Sequence, residues 1–275
     1  MDITIVFSED PACILSKAGE FLCSQPVLHN VVLSILHARV QEVEPGRYWM
    51  AREGDKTLGV VLQSPLRFAA TLTPMSHRVV TAMVDAIVEA RVPLPGVNGE
   101  AGTAASFAGH WSERRKSAAR PFEGNRIYEF TETGEVPDTK GSFRQAGSMD
   151  RDLLIAWTRA FQVEIGEPDD DTELRVDKWL AGGYIWIWED TGESVSMAVG
   201  REPVAGVVRI SGVYTPPELR GCGYAAACVS ALSRRACGGG HRCILYTDLG
   251  NPISNSVYRR IGYRAVAEAL RYRFE

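Results

Sequence analysis

Apolar positions along the chain recur with two periods, and the periods alternate in blocks. Val27, Leu28, Val31, Val32, Ile35 and Leu36 fall at helical spacing, which predicts an amphipathic helix from Pro26 to about Val40. Val79, Val80, Met83, Val84, Ile87 and Val88 predict a second from His77 to Ala90, and Ala101 to about Lys116 reads as a third. Between the first two, Tyr48–Arg52 and Leu58–Gln63 flank Glu53, Gly54 and Asp55 as a hairpin, and Phe68–Leu72 adds a strand. Pro93–Gly99 is a turn or short strand, and Arg126–Thr131 is a strand.

After a stretch of linker composition, Gly134–Gly141, a similar order begins again. Phe143–Ala146 is a strand, and Leu153, Leu154, Trp157, Phe161 and Ile165 mark a helix over Asp150–Ile165. A second helix ends near Gly182 and Gly183. A meander follows: Tyr184–Glu189, Ser194–Gly200 and Ala205–Tyr214. A glycine turn then opens an alanine-rich helix to about Ser233, and Cys243–Thr247 is a buried strand. Asn251 caps a short helix with Pro252 at its first position and Gly262 as its stop. Tyr263–Phe274 reads as a closing edge strand, with Arg264, Glu268, Arg271 and Arg273 guarding against aggregation. The expected organisation is two domains, 1–137 and 141–275. Each is of α/β (α+β) class, with a mixed, mainly antiparallel twisted sheet flanked by helices.

Composition narrows the class without changing that picture. The 275 residues are 45% hydrophobic and 23% charged, as in a globular protein, and suit two domains. A net charge of −4 argues against a nucleic-acid partner, and no apolar run reaches the length of a membrane span. The start of the chain lacks a basic stretch followed by an apolar one, and the six cysteines contain no CxxC pair. A cytoplasmic location with free thiols is the expectation. Cys237, His241 and Cys243 lie close together but have no fourth ligand at zinc spacing, so no metal is expected.

The chemistry is concentrated at the glycine turn. The β-branched run Val207, Val208, Ile210, Val213 ends at Pro216 and Pro217, and Arg220, Gly221, Cys222, Gly223, Tyr224 and Ala225 follow at a helix start. Glycines there let the backbone approach a ligand, and the unpaired N–H groups of the first turn favour an anion. Arg220 stands beside them, suited to phosphate. The order fits Arg/Gln-x-x-Gly-x-Gly/Ala. Some 30 residues on, Asn251, Ser254, Asn255, Tyr258, Gly262 and Tyr263 supply a second pattern. Together they resemble the acetyl-CoA loop and the second signature of the GNAT superfamily of N-acetyltransferases. The first half resembles it only in element order and lacks the turn, which implies a degenerate GNAT-like domain supporting a catalytic second half.

The resemblance implies direct attack of a neutral amine on the thioester carbonyl of acetyl-CoA, the co-substrate. The pantetheine arm would pair with the backbone of Val213, Tyr214 and Thr215. Arg220, Gly221, Cys222, Gly223, Tyr224 and Ala225 would hold the pyrophosphate. Asn255, and Asn251 if it does not simply cap its helix, would meet the pantetheine. Tyr258 would be the general acid that protonates the leaving thiolate. The strand before the turn carries Arg209 and Ser211 where a carboxylate base would be convenient, so the base is Asp248, Glu164 or a chain of water. Trp157, Trp186 and Trp188 either line a substrate pocket or pack the core. The acidic stretch Glu164–Asp171 favours a cationic acceptor, a small amine or the amine of a lysine or N-terminus. Transfer of a longer acyl group, or CoA binding without turnover, are the alternatives.

Overall fold

A computed structural model describes residues 2–131, 134, 137–166 and 171–275. The acidic stretch therefore lies largely outside the described residues, as do parts of the expected linker.

The chain divides into two compact units. One comprises Met1–Ile127, Asp248–Gly250 and Val266–Glu275; the other comprises Tyr128–Thr247 and Asn251–Ala265. The same succession of elements runs through the sequence twice. The first pass is β1 (Thr4–Ser8), α1 (Pro11–Ser24), α2 (Asn30–Gln41), β2 (Arg47–Glu53), β3 (Lys56–Gln63), β4 (Ala70–Leu72), α3 (His77–Glu89), β5 (Gly96–Glu100), α4 (Ala101–Arg115) and β6 (Ala119–Phe130). The second is β7 (Ser142–Gln145), α5 (Arg151–Ile165), α6 (Thr172–Ala181), β8 (Ile185–Asp190), β9 (Glu193–Gly200), β10 (Val207–Tyr214), α7 (Tyr224–Gly238), β11 (Arg242–Asp248), α8 (Pro252–Arg260) and β12 (Tyr263–Phe274). The mixed, mainly antiparallel sheets flanked by helices agree with the expected fold class.

In the first unit the strand order is β1-β2-β3-β4-β5-β12-β6. Two elements here went unread in the sequence, β1 and α1. The helix is nevertheless well signalled: Asp10 accepts a hydrogen bond from the Ala12 N–H at 2.9 Å, Pro11 opens the first turn, and Ile14, Ala18 and Leu22 form its buried stripe. The core is built from one face of α3 (Val79, Val80, Met83, Val84, Ile87) with Trp49, Val61, Leu72, Val97, Phe107 and Trp111.

The last strand corrects an expectation. Residues of β12 from Val266 belong to the first unit, where β12 lies between β5 and β6 rather than at an edge. It pairs antiparallel with β5 from Ala269↔Glu100 to Arg273↔Gly96. Two of its four charges are ion-paired: Glu268 receives Arg126 and Arg271 reaches Glu123, each at 2.6 Å. At Glu268 and Arg271 the charge serves pairing across the sheet, not protection of an open edge.

In the second unit β7, β8, β9, β10 and β11 are neighbours in that order, and the end of β6 follows β11. Val208 and Ile210 of β10, Cys243 and Leu245 of β11, and Tyr128 and Phe130 of β6 share one cluster with Ala226, Val229 and Leu232 of α7. Ile185, Ile187, Met197, Val199 and Tyr214 pack in another with Leu154, Ile155 and Trp157 of α5. Alternation along each strand assigns its two faces to α7 and α5.

Candidate acetyl-donor site

Two irregularities at the end of β10 make the site. The strand pairs parallel with β11 only from Val207↔Arg242 to Ile210↔Leu245. Beyond Ile210 its remaining pairing is with β9, and the register slips between Ser211↔Val199 and Tyr214↔Met197. Two residues, Gly212 and Val213, thus oppose one, Ala198. Gly212 takes φ +55°, and a Cβ there would lie 3.0 Å from Val199 Cγ2, so the bulge requires glycine. The Ser196 hydroxyl donates to Tyr214 O at 3.1 Å and receives the Thr215 hydroxyl at 2.9 Å, fixing the far side of the bulge. The result is a stretch of backbone, Ser211–Thr215, with a strand on one side and none paired on the other. Gly212 and Ser196 were not singled out in the sequence; an isolated glycine in a β-branched run is the signal for such a bulge.

The glycine turn follows directly. Gly221 and Gly223 take φ +82° and +84°, a region that L-residues avoid. No side chain caps α7, and its first helical hydrogen bond runs from the Ala227 N–H to Gly223 O at 3.0 Å. The N–H groups of Tyr224, Ala225 and Ala226 therefore have no partner within the helix, the arrangement that receives an anion at a helix start. Gly221 and Cys222 are exposed, and Gly223, Tyr224 and Ala225 are half-buried.

The side chains around the turn hold it in shape. Arg220 folds back, its Nε donating to Thr215 O at 2.9 Å and its guanidinium meeting Glu164 Oε1 at 2.6 Å. The Tyr224 hydroxyl donates to Asp190 Oδ2 at 2.7 Å. Arg220 is thus a staple across the loop, and Tyr224 offers its backbone.

On α8, Asn251 is the cap, accepting from the Ser254 N–H at 3.0 Å. Asn255 is buried: its Oδ1 receives the Tyr128 hydroxyl at 3.0 Å and its Nδ2 donates to Asn251 O at 2.7 Å. Its side chain is engaged in holding α8 against β6 rather than turned to a ligand. Tyr258, three residues on, lies on the same helix face and packs, like Val213, against the α7 cluster. Its ring meets Tyr263 edge-on at 5.9 Å, and burial pushes its phenol up to about 12.

The carboxylates considered as bases are otherwise occupied. Glu164 holds Arg220, and Asp248 accepts from the Gly250 N–H at 2.8 Å in a turn that groups with the first unit. The tryptophans belong to the packing: Trp157 is buried against Tyr214, Trp186 stacks on Phe143 at 4.8 Å, and Trp188 donates to Lys140 O at 2.9 Å. Among the described residues no group of three or more metal-ligating side chains is found. No helix among them is long and apolar enough to cross a membrane.

Residues 152–263 match the family model described as the Acetyltransferase (GNAT) family. A search of curated proteins finds no match. Among solved structures, a GNAT-family acetyltransferase from Colwellia psychrerythraea is similar over 100% of both chains, with a TM-score of 0.65 at 10% identity. A GCN5-related N-acetyltransferase from Sphaerobacter thermophilus is similar over 98% of this chain and 95% of its own, with a TM-score of 0.64 at 16% identity. One from Kribbella flavida is similar over 78% and 87%, with a TM-score of 0.54 at 17% identity. At these identities the likeness is one of fold, and it extends over both halves of the chain.

Proposed function

We propose, from the match of residues 152–263 to the Acetyltransferase (GNAT) family model, that this protein moves the acetyl group of acetyl-CoA to a primary amine by direct attack. The observation that carries the reading is the parting of β10 from β11 after Ile210, immediately before an uncapped glycine turn. The two features suit the two ends of one molecule: extended backbone for the amide-bearing pantetheine arm, and free helical N–H groups for the pyrophosphate.

In this reading Val213, Tyr214 and Thr215 orient the arm through main-chain groups. Gly221, Cys222, Gly223, Tyr224 and Ala225 bind phosphate through N–H groups, while Arg220 braces the loop. The amine nitrogen bonds to the thioester carbon, the C–S bond breaks, and sulfur leaves with the electron pair. Tyr258, with its phenol raised to about 12, stays protonated throughout the working range and donates a hydrogen bond to the departing sulfur. A free thiol has a pKa near 8.5, so proton transfer from this phenol is uphill until the site compensates. Tyr258 therefore acts in concert with bond cleavage, and the amine proton restores it. With Glu164 and Asp248 both engaged, that proton passes through water.

The first unit keeps the element order and, in this reading, not the ligand. Isothermal titration with acetyl-CoA tests the assignment, using the intact protein beside an Arg220→Glu, Gly223→Glu double variant. Saturable binding lost in the variant is expected, with CoA release on adding an amine acceptor. A folded protein that binds no acetyl-CoA refutes it.

A further inference from the structure

Five arginines of the second unit and Arg209 differ in what they meet. Arg144, Arg151, Arg159, Arg220 and Arg242 each meet a carboxylate. Arg209, in the middle of β10, makes no ion pair or hydrogen bond among the described residues. Its register partner on β11 is Ile244. Alternation turns it away from Val208 and Ile210, which pack under α7, to the opposite face of the sheet. Ser211 on β10 and Tyr246 on β11 point to that same face, at the level where the two strands part. Arg209 is half-buried, and desolvation pulls its guanidinium below the ordinary arginine range. The charged and titratable groups acting on it are the Tyr246 phenol, kept neutral by burial, and a second cation, Arg201.

A desolvated cation beside a like charge, with no counter-ion among the described residues, is a costly arrangement for structure alone. It becomes favourable when an anion arrives. The guanidinium presents a planar fork suited to a carboxylate, and the Tyr246 and Ser211 hydroxyls add neutral donors at its side. We infer that Arg209, with Tyr246 and Ser211, receives an anionic group of the acceptor, so that the acceptor is a small amine that also bears a carboxylate. The inference rests on the transfer reading above and deepens it. It also departs from the cationic acceptor suggested by the acidic stretch, one of whose described members, Glu164, is already paired with Arg220.

The test pairs each of a set of L-amino acids with its carboxamide and measures acetyl-CoA-dependent thiol release by the intact protein. The same set is run with Arg209→Met and Arg209→Lys, with acetyl-CoA titrated into all three. A carboxylate held by charge-assisted hydrogen bonds predicts a kcat/KM preference of roughly 10- to 100-fold over the carboxamide. That preference is lost in Arg209→Met and partly kept in Arg209→Lys, while acetyl-CoA affinity stays the same in all three. Three results overturn the inference: carboxamides used as well as the acids, a preference that survives Arg209→Met, or no turnover of any carboxylate-bearing amine by protein that binds acetyl-CoA. Wild-type protein that fails to bind acetyl-CoA strikes first at the transfer reading itself, and the two failures are thereby told apart.

Discussion

Gly221 and Gly223 look interchangeable in the sequence, but the structure makes them unequal. Both adopt the left-handed region, at φ +82° and +84°. An alanine there costs roughly 1–2 kcal/mol of backbone strain and recovers about 0.4–1 kcal/mol by restricting the unfolded chain. The net loss at either site is about 1 kcal/mol. At Gly221 nothing lies within 4 Å of the added Cβ, so that is the whole effect. At Gly223 the Cβ lies 2.8 Å from the Thr139 hydroxyl. Turning that hydroxyl away from its preferred rotamer adds on the order of 1 kcal/mol. Gly223→Ala should therefore be about twice as destabilising as Gly221→Ala.

The pair becomes a coupling experiment when Thr139→Ala is added. Removing the hydroxyl should return Gly223→Ala to the level of Gly221→Ala and leave Gly221→Ala itself unchanged. In thermal unfolding about 1 kcal/mol corresponds to a shift of roughly 2–4 °C for a chain of this size. A second readout is local: Cys222 sits between the glycines and is exposed, so bound acetyl-CoA should slow its alkylation. The concentration needed for protection should rise most in Gly223→Ala. Equal losses at the two glycines, or no relief from Thr139→Ala, would refute the reasoning that Thr139 closes over the turn at Gly223.

Four further outcomes follow from the same geometry. Tyr258→Phe should lower kcat by about 100-fold or more while sparing acetyl-CoA affinity. Because its folded pKa is raised, from about 10 when unfolded to about 12, its contribution to stability is present below pH 10 and fades as the pH climbs through that window; alkaline unfolding of the variant measures it. Asn255→Ala should destabilise by about 1–3 kcal/mol through the stranded hydroxyl of buried Tyr128, and adding Tyr128→Phe should restore part of the loss in denaturant titrations. Phe274 stacks on Trp111 at 5.0 Å and 12°, so Phe274→Ala should cost about 2 kcal/mol and change tryptophan fluorescence. A fragment ending at residue 137 lacks β12 and should remain unfolded by circular dichroism.

The elements that sequence reading recovered are those with one strong period or one strong turn. The stripes in α3 and α5, the hairpin around Gly54, and the Gly221–Gly223 turn all carry their cause locally. Of the two elements it missed, α1 carries its own local signal in Asp10, Pro11 and the Ile14, Ala18, Leu22 stripe, whereas the other is short and depends on a distant partner. Strand β1 has five residues and owes its place to pairing with β2, from Thr4↔Arg52 to Ser8↔Tyr48. Helix α7 runs past Ser233 to Gly238; the Ser233 hydroxyl donates to Val229 O within the helix and lies 2.6 Å from the Tyr263 hydroxyl. The partnering of β12 was invisible for a stronger reason. Alternating charge is equally consistent with a guarded edge and with cross-strand ion pairs, and only the positions of Glu123 and Arg126 decide.

The comparison of the two halves explains why the site is legible in only one of them. Between β4 and α3 the connection is Thr73–Ser76, whereas between β10 and α7 it is Thr215–Gly223, so the first half has no length from which to form a phosphate loop. What remains there is filled by its own atoms. The Met75 N–H donates to the Thr103 hydroxyl at 3.1 Å, and the Met75 side chain lies over Gly59 where a Cβ would otherwise stand. A Cβ on Gly99 of β5 would come within 2.9 Å of Leu72 Cβ on β4, so these strands stay in contact beyond their last paired residues instead of parting. Glu100 accepts from the Gly102 and Thr103 N–H groups at 3.0 and 2.9 Å, satisfying the start of α4 with a carboxylate of the chain. In the second half the loop is long and the strands part at a glycine bulge; the helix starts do not differ, since α3 and α7 both lack a side-chain cap and α4 and α8 both have one. Strand backbone left unpaired is a local cost to folding, and this chain bears it beside β10 in one half while β4 and β5 stay together at the equivalent place in the other.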